Sequence, residues 1–190
     1  MSGTIVIVDD EPITRLDVKD MLQIAGYDIV GEASDGFEAI RVCDETKPDL
    51  VIMDIKMPLL DGLTASKKII ANGSASGIIL LTAYSDRLYI NKASEFGALG
   101  YLVKPLHEQS LIPTVELALS KGRQFKQLKK ELDAVTKKLE ERKVIERAKG
   151  KLMVAEGLTE EAAYKKLRTI SMKKRVPMIA IAEVMVMVDE

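Results

Sequence analysis

The sequence is poor in the residues that brace small folds or do catalysis. Among 190 residues there is one cysteine, one histidine and no tryptophan. A lone cysteine excludes an intrachain disulfide. Cys43 lies among Ala39, Ile40 and Val42 and reads as a small apolar packing residue in a reducing compartment. His107, the only histidine, stands at an expected helix start with no nucleophile beside it in sequence, so no catalytic role is assigned to it. Aromatic residues are 4% of the chain, so the core is expected to be aliphatic. No stretch approaches the roughly 20 apolar residues of a membrane span. The start, MSGTIVIV, lacks the basic flank and long apolar run of a signal peptide. The expected location is therefore cytoplasmic, without a membrane partner.

What is abundant is aliphatic surface and charge. Hydrophobic residues make up 47% of the chain, enough for a packed core. The formal net charge of −1 conceals two opposite parts. Residues 1–120 carry 10 Lys/Arg and 18 Asp/Glu, a net of −8, and residues 121–190 carry 18 and 11, a net of +7. An acidic part joined to a basic part suggests two jobs, the second with a polyanion. The competing reading is a solvated surface with lopsided charge.

Short apolar runs alternate with helical patterns over the first 105 residues. TIVIV (4–8), DIVGEA (28–33), DLVIMD (49–54), GIILLT (77–82) and LGYLV (99–103) read as strands. Helices are expected between them, over 12–25, 35–46, 61–72 and 86–96. Pro12 and Asp35 suit helix starts and Gly26 a helix end. This alternation predicts an open parallel sheet covered by helices on both faces, with ligands at the carboxyl ends of the strands.

After Pro105 the strand signals stop. Residues 107–156 read as one long helix, in which Pro113 is tolerable only close to the start. Phe125, Leu128, Leu132, Val135 and Leu139 recur at 3-4-3-4 spacing with charges between them, the seam of a dimerising coiled coil. The alternative is an amphipathic helix packed on its own domain. Ile145, Ala148 and Leu152 resume the spacing out of phase, which marks a change of partner and the start of a small helical bundle. Gly157 and Thr159 punctuate the next helix (159–170). The basic turn SMKKRV follows, and Pro177 opens a last apolar helix whose Met178, Met185 and Met187 read as core filler.

Four strands end in chemistry. Asp9 and Asp10 close the first and Asp54 the third. If those strands are neighbours, three carboxylates converge and repel one another unless a cation sits among them. Oxygen ligands with room for water suit Mg²⁺. Thr82 closes the fourth strand, and Lys104, followed by Pro105, closes the fifth. A carboxylate, a hydroxyl, an ammonium and a metal at one edge can stabilise a phosphoryl group, with Asp54 as nucleophile. The competing reading leaves Asp10 or Glu11 as a plain helix cap.

VDDE (8–11), MDIKMPLLDG (53–62), LTA (81–83) and KP (104–105) resemble the receiver domain of two-component response regulators, over residues 3–120. The resemblance implies a flavodoxin-like sheet of five parallel strands in the order 2-1-3-4-5. It implies phosphorylation of Asp54 by a sensor histidine kinase, with Mg²⁺ held by Asp9, Asp10, Asp54 and the Lys56 carbonyl. It implies Thr82 and Lys104 on the phosphoryl oxygens and Tyr101 as a switch aromatic that swings inward. From spacing alone Tyr101 is equally a half-buried strand residue. The Lys104–Pro105 bond is expected to be cis. Haloacid-dehalogenase-like phosphatases, which also use a nucleophilic aspartate, fit less well: they want an acid two places after it, where this chain has Lys56.

The tail supplies the second job. Between Arg142 and Arg175 there are 11 Lys/Arg against 4 Asp/Glu. Arg147, Lys149, Lys151, Tyr164, Lys165, Arg168, Lys173 and Lys174 are candidate RNA contacts, with Ala148 and Gly150 as places of close backbone approach. A solvated helical face is the bland alternative. IERAKGKLMVAEGLTEEAAYKKLRTISMKKRVPMIAIAEVMV resembles the ANTAR domain, a three-helix RNA-binding module of transcription antiterminators. The expected organisation is a receiver over 1–120, a coiled-coil linker over 121–140 and an ANTAR domain over 141–190. The combination implies a regulator, not an enzyme, that dimerises when phosphorylated and binds paired RNA hairpins in nascent transcripts to prevent termination. The whole chain resembles the ethanolamine-utilisation antiterminators. A DNA-binding regulator is the alternative, but its helix in the major groove would need charge that the segment after Pro177 lacks.

Overall fold

The computed structural model describes residues 3–83 and 97–187. The chain divides into two compact units, Met1–Leu128 and Lys129–Glu190.

The first unit is built on five parallel strands: β1 (Thr4–Val8), β2 (Asp28–Ala33), β3 (Leu50–Asp54), β4 (Ile78–Thr82) and β5 (Gly100–Val103), in the order β2-β1-β3-β4-β5. The expected flavodoxin-like order is the observed one, and β1 and β3 are paired neighbours. Successive side chains of a strand point to opposite faces, so each central strand feeds two cores. Val6, Val8, Val51, Met53, Ile78 and Leu80 pack with helices α2 (Gly36–Thr46) and α3 (Gly62–Asn72). Ile5, Ile7, Leu50, Ile52, Ile79 and Leu81 pack on the other face with Val18 and Leu22 of α1 (Pro12–Ile24). Leu111, Val115, Ala118 and Leu119 of α4 (Glu108–Glu156) join that second core. Each fully buried Ile or Leu contributes roughly 1.5–3 kcal/mol, which is why the continuous aliphatic runs become the central strands. Cys43 is buried among them, and burial pushes its thiol up to about 12, so it is inert at neutral pH.

Local signals set the element ends. Asp35 accepts from the amides of Phe37 and Glu38 at 2.8 and 3.0 Å and caps α2, and Asp61 caps α3 through the Thr64 amide at 2.9 Å. Gly26, at φ +85°, follows the end of α1. Pro113 lies in the second turn of α4, near its start. The carbonyl of His107 accepts from the amides of Ser110 and Leu111, so this histidine serves the start of α4. Gly62 is dictated by space: a Cβ there would lie 1.9 Å from the Asp54 carbonyl oxygen. Gly62→Ala should therefore cost about 3 kcal/mol in urea denaturation, at the upper end for overpacking, because a backbone atom is the obstacle.

In the second unit α5 (Glu160–Lys174) and α6 (Met178–Met187) pack with the later part of α4. Ala148, Leu152, Ala163, Leu167 and Ala182 form its core, flanked by Val144, Ile145, Met178, Ile181 and Met185. Gly157 takes φ +64° after α4, and Thr159 caps α5 through the Ala162 amide at 3.3 Å. Three expectations are corrected here. Residues 171–174 continue α5 and are not a turn; the helix ends at Arg175, which adopts φ +55°. Met187 is exposed, while Met178 and Met185 do pack on the core. Ala148 is fully buried, so nothing reaches the backbone through it. The helix expected over 86–96 falls outside the described residues. Among the described residues no helix is long and apolar enough to cross a membrane.

Candidate functional site

The carboxyl ends of β1, β3 and β5 bring four charged side chains together. Carboxylate oxygens of Asp9, Asp10 and Asp54 all lie within 4.8 Å of one another. Asp9 is fully buried, Asp54 is 5% exposed and Asp10 faces solvent. The Lys104 ammonium lies 2.6 Å from Asp9 Oδ2 and 3.3 Å from Asp54 Oδ1. Its backbone amide donates to the Thr82 carbonyl at 2.9 Å, which ties the end of β5 to the end of β4. The Lys104–Pro105 bond is cis, as expected.

One ammonium does not neutralise three carboxylates. Burial pushes the Asp54 carboxyl up to about 6; Lys104 opposes the rise, and Asp9 and Asp10 reinforce it. Burial pulls the Lys104 ammonium down, but Asp9 and Asp54 outweigh it and hold the group above its ordinary range. The donors are all anionic oxygens and leave uncompensated negative charge, a set that fits a hard divalent cation such as Mg²⁺. Beside them a cavity of about 790 Å³ is lined by Asp10, Lys56, Met57, Asp61, Thr64 and Lys67. Thr82 is buried at the strand end, whereas Tyr101 is 47% exposed.

Two contacts at this edge are not evident in the sequence pattern. The Glu11 amide donates to Asp9 Oδ1 at 3.0 Å. The Arg15 guanidinium donates to the Asp9 carbonyl at 2.5 Å. Asp-Asp-Glu before Pro12 signals a tight helix entry, but nothing in periodicity marks Arg15 as turning back toward β1.

The basic residues of the second unit sort into two groups. Arg147, Lys165, Arg168, Lys173 and Lys174 are exposed, as is Tyr164. Lys149 is buried, with its ammonium 2.8 Å from Glu146 and 2.7 Å from Glu160. Lys151 donates to the carbonyls of Met185 and Val186 at 3.2 and 2.9 Å, at the end of α6. These two differ from the expectation of free contacts: their charge is spent joining helices. Gly150 is exposed, and a Cβ there would meet no atom of the described residues within 4 Å. Phe125, Leu128, Leu132, Val135 and Leu139 are all 53–64% exposed.

Comparison with known proteins decides the family. The response regulator receiver domain matches residues 5–116, and the ANTAR domain matches residues 133–186. This chain is an ANTAR response regulator. Over 180 residues the regulator is 44% identical to the transcriptional regulatory protein PdtaR of Mycobacterium tuberculosis, covering 95% of the chain and 87% of that protein. Its first unit resembles the chemotaxis protein CheY4 of Vibrio cholerae, at 28% identity and a TM-score of 0.59 over 62% of the regulator and 99% of CheY4. It also resembles the receiver domain of the sensor histidine kinase PA1611 from Pseudomonas aeruginosa. That match is 29% identical with a TM-score of 0.57, over 63% of the regulator and 99% of the other chain. The PA1611 structure has a magnesium ion coordinated in its active-site cleft.

Proposed function

We propose that the regulator is switched by phosphorylation of Asp54 and that its output is RNA binding by residues 141–190. The observation that supports this most is the Lys104 ammonium seated between Asp9 and Asp54, beside an open cavity, in a chain that also carries an ANTAR domain. Asp9, Asp10, Asp54 and the Lys56 carbonyl are the groups for Mg²⁺. When bound, the ion supplies positive charge against the transferring phosphoryl group.

Asp54 attacks as the carboxylate. One of its oxygens forms the new O–P bond as the N–P bond to a histidine of a sensor kinase breaks. The electron pair of that bond returns to the protonated imidazole, which leaves neutral. Lys104 holds the phosphoryl oxygens on one side and the Thr82 hydroxyl on the other. The pull on Thr82 vacates space at β4, and Tyr101 turns inward to fill it. That rearrangement favours pairing of two chains through the exposed seam of residues 121–140. Two linked ANTAR domains then hold paired hairpins of a nascent transcript, preventing formation of a terminator.

RNA loops suit this surface because their unstacked bases accept both stacking on Tyr164 and contacts from flanking cations. Arg147, Lys165, Arg168, Lys173 and Lys174 are the exposed cations for phosphates. Filter binding of a two-hairpin RNA at graded salt tests their role. Arg168→Ala is expected to reduce the slope of log affinity against log salt by about one, the share of a single phosphate contact. Lys149→Met is expected to lower the thermal stability of the second unit and leave that slope unchanged. Equal slopes for wild type and Arg168→Ala would remove Arg168 from the interface. Preference for duplex DNA over hairpin RNA in competition would overturn the RNA reading.

A further inference from the structure

Three successive peptide groups run through the acidic end of β1, and each is held by a different device. The Asp9 amide donates to the Ala33 carbonyl of β2 at 3.2 Å, which anchors the peptide before Asp9 in the sheet. The Glu11 amide donates to Asp9 Oδ1 at 3.0 Å, which anchors the peptide after Asp10. The peptide between the two aspartates is held by a side chain: Arg15 Nη1 donates to its carbonyl at 2.5 Å.

That middle peptide matters most for two carboxylates that must face one cation. A peptide group moves as a rigid plane. Rocking it changes ψ of Asp9 and φ of Asp10 together and re-aims one carboxylate relative to the other. Arg15 is placed to prevent this. Its side chain is 18% exposed, and its Nε lies 3.8 Å from Glu32 Oε2 on β2. Nε is buried and makes no hydrogen bond among the described residues; Glu32 draws the guanidinium over by charge and leaves it to the Asp9 carbonyl. Glu32 is itself 2.8 Å from the Lys19 ammonium. The negative charge of Glu32 also offsets that of Arg15, which on its own would repel a dication.

We propose that Arg15 is a positioning residue for the cation site. By clamping the Asp9–Asp10 peptide it fixes the mutual aim of the two carboxylates, and Glu32 on β2 fixes Arg15. The inference rests on the reading of this edge as a Mg²⁺ site.

The test is the Mg²⁺ dissociation constant of the full chain, by calorimetric titration at 25 °C, with metal-free melting recorded in parallel. Arg15→Met, of similar length but without donors, is expected to weaken Mg²⁺ binding about tenfold, the usual scale for a group that orients metal ligands. Arg15→Lys, which restores a cationic donor, is expected to recover most of that affinity. Glu32→Gln is expected to weaken binding about threefold. A purely structural Arg15 would lower the melting temperature and leave the dissociation constant alone; that result overturns the proposal. Tighter binding in Arg15→Met also overturns it, because charge repulsion would then outweigh positioning. If Arg15→Met does not fold, Glu32→Gln and Arg15→Lys decide: affinities equal to wild type in both overturn the proposal. Wild-type protein that binds no Mg²⁺ at millimolar concentration would overturn the metal reading, and this inference with it.

Discussion

Asp54→Asn should make the metal-free protein more stable at pH 7.5. The reason lies in the raised pKa of Asp54, from 3.8 to about 6. In the folded state the carboxyl binds its proton more tightly than in the unfolded chain. Stability therefore falls as pH rises through the interval between those values, and the full penalty is present above it. Each pKa unit corresponds to about 1.4 kcal/mol, so the penalty is on the order of 2–3 kcal/mol at neutral pH. Asparagine carries no charge to desolvate and escapes it. Urea denaturation at pH 7.5 should show the gain; at pH 4 it should nearly vanish, because wild-type Asp54 is then protonated. A variant no more stable than wild type at pH 7.5 would contradict this electrostatic account. Lys104 does not remove the penalty, because Asp9, at 2.6 Å, is its nearer partner. Such uncompensated charge is characteristic of a site built to receive something.

The second large effect is expected at the seam. Leu132→Asp puts a charge in the middle of five apolar side chains that are more than half exposed. An aspartate there has to be desolvated for two chains to pair, so the phosphorylated dimer should be lost in sedimentation velocity. Linked sites commonly gain 10²–10⁴ in avidity, so binding to a two-hairpin RNA should weaken by about a hundredfold or more. Binding to a single hairpin should be unchanged, because Leu132 lies outside the proposed RNA surface. Unchanged two-hairpin affinity would mean that pairing runs through another surface.

The sheet was legible because burial on both faces demands continuous aliphatic runs, and Ile5–Val8, Leu50–Met53 and Ile78–Leu81 supply them. The caps Asp35 and Thr159 and the stops Gly26 and Gly157 were legible because each has a specific backbone reason. The placement of Asp9, Asp54 and Lys104 followed from strand order, since strand ends that are neighbours must share an edge. What charge counting missed is where an ammonium points. Lys149 and Lys151 count as basic residues in the sequence, yet one joins Glu146 to Glu160 and the other holds the end of α6. The end of α5 was misplaced because the left-handed residue that closes it is Arg175, where glycine would be the usual signal. Arg15 carries no signal in the sequence, because a polar residue on a surface helix looks the same whether it faces water or a carbonyl.

The central claim is that Asp54 is the acceptor of a phosphoryl group. Its most direct test is to incubate the purified chain with acetyl phosphate and Mg²⁺, trap the acyl phosphate with borohydride and map the peptides by mass spectrometry. The account predicts one modified site, residue 54 read as homoserine, dependent on Mg²⁺ and absent in Asp54→Asn. Unmodified protein, or modification that persists in Asp54→Asn, would contradict it.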